Sequence, residues 1–366
     1  NDRVEDLIKV FAEGPPLDLE RGAILERNRP YLIQLQESLE LPTRVRGRAN
    51  PKSSTGRLDV FTRVITDRWS KFDDIRAGYE GPIFLEVVPR SFAVGVRSGL
   101  ALNQLRLMQG EIQITDAELR SLHRRTPLLY RNGVPLDRRE VRAAAGLWLS
   151  LDLARRENEP VGYRARHNSS LVDLSLVGTH DPDNYWDPVV PETGNRVVLE
   201  PEAFYLLLSA ESVCIPPEYA AEMTAFDPAG GEVRTHYAGF FDPGFGHDGL
   251  FSEGSRAALE IRAHDVPFAV DHLQRVCSLR FERMAEEPSV LYGAARGSHY
   301  QGQLSTLSKH FRADRALDQL TFGRSATGVG HPRRAAERSF DTSASARREH
   351  HQPALEESAE WSDPEA

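Results

Sequence analysis

The sequence predicts a mainly β protein with few helices, built from two tandem copies of one distorted β-barrel or jelly-roll unit. Three observations lead there. The chain repeats itself at a constant offset, its apolar runs are short and broken by Gly, Pro, Asn and Asp, and only one stretch carries a complete helix signal.

The repeat comes first, because a missed repeat misassigns a whole fold. Leu25–Pro42 reads LERNRPYLIQLQESLELP and Leu199–Pro216 reads LEPEAFYLLLSAESVCIP, an offset of 174 at which Leu25/Leu199, Glu26/Glu200, Tyr31/Tyr205, Glu37/Glu211 and Pro42/Pro216 agree. The same offset returns at Leu85-Glu86 with Leu259-Glu260 and at Leu105-Arg106 with Leu279-Arg280. Strands are expected at Tyr31–Leu35, Ile83–Val88, Val197–Leu199, Phe204–Leu208, Ala257–Ile261 and Cys277–Phe281, a spacing that suits a barrel or jelly roll rather than βαβ units. A further early strand, Ser169–Val177, is expected to open the second copy; its counterpart would fall at or before residue 3. Asp116–Arg125 is the expected helix: Thr115 and Glu118 form a capping box, and Leu119 and Leu122 an apolar stripe.

Four segments follow. Residues 1–110 form the first unit, expected to be truncated at its N-terminus, since the chain opens on Asn and an opening strand is missing. Residues 111–164 form a connector containing the helix, and 165–310 the second unit with a C-terminal lid. Residues 324–366 turn to Arg, Glu, Ser, Ala and His without apolar periodicity and are expected to be a disordered tail.

Composition excludes several classes. Cys214 and Cys277 are the only cysteines among 366 residues, too few for a disulfide framework or a Cys-rich zinc site. Both lie in apolar runs and are expected to be buried free thiols, which fits a reducing cytoplasm. No apolar run approaches the roughly 18 residues of a membrane span, and no secretory signal opens the chain. The net charge of −9 argues against non-specific nucleic-acid binding, and an anionic small ligand would need a locally basic pocket.

Three motifs can carry chemistry. Pro51–Arg57, PKSSTGR, packs three hydroxyls, a glycine and two cations into one turn; such a turn can cradle phosphate, although taken alone it fits an ordinary polar turn better. Glu86 and Glu260 sit inside the apolar strands FLEV and ALEI at one register of both copies. Each could face solvent by alternation, or be a general base whose pKa partial burial raises. His236–Gly246, HYAGFFDPGFG, reads as a hairpin that could present its backbone to the edge of a base. Negative findings narrow the field: the zinc-deaminase pattern HxE…PCxxC, a Walker loop and GxSxG are all absent, and GFGHDG at 244–249 opens no βαβ unit.

These stretches, in this order, resemble the dCTP deaminase family and, more distantly, the trimeric dUTPases. ESLELP (37–42) leads to PKSSTGR (51–57), with Lys52 where the family has Arg; RVITD (63–67) and FLEV (84–87) follow. The second copy runs through ESVCIP (211–216), HYAGFFDPG (236–244), ALEI (258–261) and SHYQGQ (298–303). The resemblance covers roughly 15–110 and 165–310 and is nearest to the longer, duplicated bacterial dCTP deaminases. It implies dUTPase-like units, hydrolysis of dCTP to dUTP and ammonia without zinc, and Mg²⁺ carried by the triphosphate. It implies Glu260, Glu86, Ser53 and Arg57 as catalytic, and Lys52, Ser54, Ala238, Gly239, Asp242, Tyr300 and Gln303 as substrate-binding. It implies no nucleic-acid or membrane partner, a cytoplasmic location, and a homo-oligomer with trimer-like packing of units.

The copies have lost complementary parts. The second has AFDPAGGEVR (225–234) where SSxxR belongs, and the first has neither lid nor Asp-Pro-Gly hairpin. A composite site is therefore expected, pairing the turn of the first copy with Glu260, hairpin and lid of the second, and Glu260 is preferred to Glu86 as base. The alternatives are a dUTP diphosphatase, alone or combined with deamination, using Asp242 or Asp67 to activate water, and a non-catalytic nucleotide-binding regulator.

Overall fold

The computed structural model describes residues 2–312 except 157–158, 226–232, 236–238, 248–252, 264, 294–296 and 303–305, with 225 and 233–235 described by backbone alone. The tail expected over 324–366 lies outside these residues.

The duplication persists at the level of individual strand pairs. Strand Tyr31–Glu40 runs antiparallel to Glu80–Pro89, pairing Tyr31 with Val87, Ile33 with Leu85 and Ser38 with Pro82, with an irregularity between Gln34 and Ser38. Phe204–Val213 runs antiparallel to Ser255–Ala263, pairing Tyr205 with Ile261, Leu207 with Leu259 and Ser212 with Arg256, with its irregularity between Leu208 and Ser212. Every one of these positions is displaced by the offset of 174. The companion pairs Val45 with Gln109 and Tyr219 with Arg283 obey it too. One slipped residue would turn a strand's whole apolar set to the wrong face, so a duplicated pattern holds a duplicated register.

All six expected strands form, most of them longer at one or both ends than their apolar runs. Helix Asp116–Arg125 also forms as expected: the Thr115 hydroxyl accepts the Glu118 N–H at 3.3 Å, and the Glu118 carboxylate accepts the Thr115 N–H at 2.8 Å. Thr115→Ala removes one half of this exchange and should cost about 1 kcal/mol of stability, read from urea unfolding.

Three expectations need correction. Helix Val4–Phe11 was not foreseen. Its own first residues contribute no cap; the Asp67 carboxylate, distant in sequence, accepts the Val4 N–H at 2.8 Å. Asp67 thereby helps hold this helix. Second, the strand expected over Ser169–Val177 shrinks to Val172–Asp173, which pairs in parallel with Val94–Val96 of the first repeat instead of opening the second. Third, the stretch 111–164 is more than a connector. Leu147–Ser150 covers the outer edge of Arg275–Arg283, Leu129–Arg131 pairs with Phe204–Val213, and Gly162–Ala165 joins the same sheet.

Two cores result. One holds Leu119, Leu122 and Leu147 from the 111–164 stretch together with Leu207, Leu259 and Phe281. The other belongs to the first repeat, with Leu58, Val64 and Leu85, yet is completed from the second half by Trp186, Phe204 and Phe311. Phe311 meets the Trp186 ring edge-on at 5.8 Å and the Tyr185 ring at 5.3 Å. The chain segment following the second repeat is thus anchored against the first. Cys214 and Cys277 are buried and not joined in a disulfide, and burial pushes the Cys277 thiol upward. No described helix is long and apolar enough to cross a membrane.

Candidate active site

An open cleft with about 680 Å³ of empty space lies where the repeats meet. Its first wall is the turn after strand Val45–Pro51. Lys52 is extended, and Ser53–Gly56 make a single helical turn closed by the Gly56 N–H on the Lys52 carbonyl (3.0 Å) and the Arg57 N–H on the Ser53 carbonyl (3.1 Å). The Thr55 hydroxyl ties the turn to the Leu102 carbonyl at 2.8 Å. Lys52, Ser53, Gly56 and Arg57 face the cleft.

Opposite them, strand Ser255–Ala263 presents Glu260, 8 % exposed. The two walls nearly touch: a Cβ on Gly56 would stand 2.7 and 2.8 Å from the Glu260 carboxylate oxygens. Only glycine lets the carboxylate approach this turn. Burial pushes the Glu260 carboxyl up to about 8; the Arg57 guanidinium opposes that rise and the Asp59 carboxylate adds to it. A carboxyl poised there can exchange a proton near neutral pH, as a general base must.

Arg57 is itself buried, 3 % exposed, and burial lowers its pKa. It donates to the Thr306 and Leu307 carbonyls at 3.2 and 3.4 Å and lies 3.7 Å from the Tyr300 ring centroid. Its Nε–H finds no acceptor among the described residues. Two residues on, Asp59 is fully buried, accepts the Ser91 hydroxyl at 2.6 Å and pairs with Arg262 of the second repeat. Two charges buried in this way stabilise only while they remain paired, so the ion pair holds the two glutamate-bearing and arginine-bearing segments in one alignment.

The third wall is the second repeat's hairpin. Phe240–Phe241 pairs with Tyr219–Ala225, and a turn at 243–246 follows. Arg106, from the first repeat, lies 4.0 Å from the Phe240 ring centroid, 3.5 Å from the Asp242 carboxylate and 2.8 Å from that of Glu282. Arg48 and Asn50, also from the first repeat, donate to Glu222 at 2.5 and 3.3 Å. The segment after the last strand closes over this wall. The Gln301 side chain accepts the Gly246 N–H at 3.0 Å and donates to the Gly244 carbonyl at 3.3 Å, and the Ser308 hydroxyl donates to the Ser54 carbonyl at 2.9 Å.

Among the expected site residues, Lys52, Ser53, Arg57, Gly239, Asp242, Glu260 and Tyr300 come together on this cleft. Glu86 does not. It sits directly across from Arg63 on the neighbouring strand and accepts its Nε–H at 2.7 Å, which marks it as half of a structural ion pair. Ser54 is also absent from the lining: it is buried, and its carbonyl holds Ser308. Ala238 and Gln303 lie outside the described residues.

Sequence reasoning missed Asp59, Arg106, Arg262, Tyr292, Gln301 and Lys309. Tyr292 lines the cleft with its hydroxyl pushed up to about 12 by burial. Lys309 and Lys52 each depress the titration of His299 after burial does, and Lys52 likewise depresses Lys309. Lys52 and Lys309 are therefore near enough to each other and to His299 to repel its protonation, and Lys52 is the one of the three that lines the cleft. A single-sequence signal existed only for Asp59 and Arg262, two residues beyond Arg57 and Glu260.

Comparisons with known proteins bear on the family of the chain. Two family models cover most of the chain. The model for the 2'-deoxycytidine 5'-triphosphate deaminase N-terminal domain matches residues 1–111, and that for the C-terminal domain residues 115–311. A dUMP-forming dCTP deaminase of Halobacterium salinarum is 32 % identical over 136 residues, 36 % of this chain and 66 % of that protein. One of Methanobrevibacter smithii is 34 % identical over 132 residues, 35 % of this chain and 63 % of that protein. The matched region thus spans just under two thirds of these curated relatives. Among solved structures, the 2'-deoxycytidine 5'-triphosphate deaminase from Agrobacterium tumefaciens is 44 % identical with a TM-score of 0.70, covering 78 % of this chain and 83 % of that one.

Proposed function

The chain belongs to the dCTP deaminase family, and from that premise we propose that it deaminates dCTP hydrolytically at the composite cleft. The observation that carries this reading is the Glu260 carboxyl, raised to about 8 and set against Gly56 and Arg57. In this reading ionised Glu260 takes a proton from water, and the resulting hydroxide attacks C4 of cytosine. The tetrahedral centre collapses as the proton passes to the departing amine, leaving dUTP and ammonia. Arg57, held by two carbonyls and stacked on Tyr300, supplies fixed positive charge close to that centre. The Ser53 hydroxyl orients water or substrate, and Gly239 and Asp242 of the hairpin receive the nucleoside.

The triphosphate is assigned to Lys52, which lines the cleft, with Lys309, whose backbone N–H bonds the cleft residue Tyr300, beside it. Mg²⁺ is proposed to arrive with the nucleotide, as part of the substrate, since its preferred partners are phosphate oxygens and water. Among the described residues no group of three or more His, Cys, Asp or Glu could hold a metal ion.

A second reading is favoured by one observation. The relatives from Halobacterium and Methanobrevibacter are named dUMP-forming, and Asp242 lines the cleft, where it could activate a water toward the α-phosphate. Incubation with dCTP and Mg²⁺ separates the readings. Ammonia together with intact dUTP is expected for deamination alone. Ammonia with stoichiometric pyrophosphate would establish the combined reaction, and nucleotide binding without ammonia would remove both.

A further inference from the structure

A second, open pocket lies at another junction of the repeats and plays no part in the chemistry above. Its charged lining is one-sided. Arg27 and Arg90 come from the first repeat, Arg166, His167 and Arg262 from the second half, and Glu202 is the one carboxylate among the lining residues. In a chain of net charge −9, four guanidiniums converge here.

Their existing partners leave capacity over. Arg27 donates to two backbone carbonyls, of Arg90 at 3.2 Å and His167 at 2.5 Å, and no carboxylate pairs with it among the described residues. Arg90 has only a long contact with Glu202, 3.4 Å. Arg166 gives its Nε–H to Asp187 at 2.7 Å. Arg262, 5 % exposed, pairs with Asp59 and the Glu202 carbonyl through its terminal nitrogens, while its buried Nε–H has no acceptor among the described residues. An unsatisfied buried donor is costly, and here it belongs to a residue that lines an arginine-rich cavity.

We infer that this cavity binds a phosphate-type oxyanion that bridges the two repeats. A phosphate group matches the forked donors of arginine bidentately and can satisfy several guanidiniums at once. With Asp59 on Arg262, Asp187 on Arg166 and Glu202 on Arg90, the positive charge of Arg27 is left over for an anion. The donors come from both halves of the chain, so the anion acts as a clamp across the junction. It reaches the catalytic strand through Arg262, two residues from Glu260 on the same face. The inference does not depend on deamination, because anion uptake is read without turnover.

Calorimetric titration of the full chain with pyrophosphate tests it. Arg27→Ala and Arg90→Ala, both of accessible side chains, should each weaken pyrophosphate uptake by roughly ten-fold, with Arg90→Lys intermediate because it keeps the charge and loses the fork. Lys52→Ala, which touches only the catalytic cleft, should leave this uptake in place. Unchanged affinity in both alanine variants, or complete loss of uptake in Lys52→Ala, overturns the proposal. A parallel titration with dCTP identifies the source of the anion. Two molecules per chain falling to one in Arg90→Ala point to a nucleotide tail, and one molecule in both chains points to the free anion.

Discussion

Glu260→Gln is expected to lower kcat for dCTP deamination by roughly a hundred- to ten-thousand-fold, the usual range for losing a general base, while Glu86→Gln keeps near-normal turnover. The two glutamates occupy one register of the two repeats, so the contrast isolates environment from strand position. Glu260 is buried beside Arg57 and Gly56, whereas Glu86 is committed to Arg63. Equal losses in both variants would refute the assignment.

The pH dependence has a definite sign. Because the base works ionised, kcat/KM should rise as pH climbs through about 8, where Glu260 releases its proton. Stability should move the other way. The folded state holds this proton up to about 8, whereas the unfolded chain releases it near the ordinary value of 4.5, so the group's contribution is present below 4.5 and is lost as pH rises toward 8. Glu260→Gln carries no such proton. The variant should therefore gain stability over the parent chain between pH 6 and pH 8, by up to a few kcal/mol. Urea unfolding of both proteins at those two pH values measures the difference, and parallel pH profiles would contradict it.

Gly56→Ala should cut kcat/KM by roughly a hundred-fold with little change in global stability. The added methyl would lie 2.7–2.9 Å from three atoms of the Glu260 carboxyl group, so the carboxylate must move. Displacing a reacting group by about 1 Å can cost that much rate. A steady-state assay paired with thermal unfolding distinguishes this local effect from misfolding. A fully active Gly56→Ala would mean that the close approach of turn and glutamate is irrelevant to catalysis.

The structure also shows why the two equivalent glutamates diverge. Their strands pair identically: Glu86 sits opposite Leu32, and Glu260 opposite Leu206. On the other side Glu86 meets Arg63, across a strand whose register with its neighbour holds over seven residue pairs. In the second repeat the described part of the corresponding strand is Val233–Thr235, which pairs with Ile261–Ala263 and not with Glu260, and Glu260 lines the cleft that the first repeat's turn closes.

The sequence by itself determined the tandem β architecture, the constant offset between the repeats and the capped helix at 116–125. These follow from local periodicity, duplicated spacing and a capping pattern complete within four residues. It also singled out the SSTGR turn, Glu260, the Asp-Pro-Gly hairpin and Tyr300, because each motif is short and contiguous. The sequence already preferred Glu260 to Glu86; only the tertiary structure showed that Glu260 lines the cleft while Glu86 pairs with Arg63. It alone revealed that Asp67 caps the first helix, that Val172–Asp173 serves the other repeat, and that Lys309 and Arg106 border the site. Each of those facts depends on which distant segments meet, and burial, ion pairing and pKa are set by those meetings rather than by neighbours along the chain.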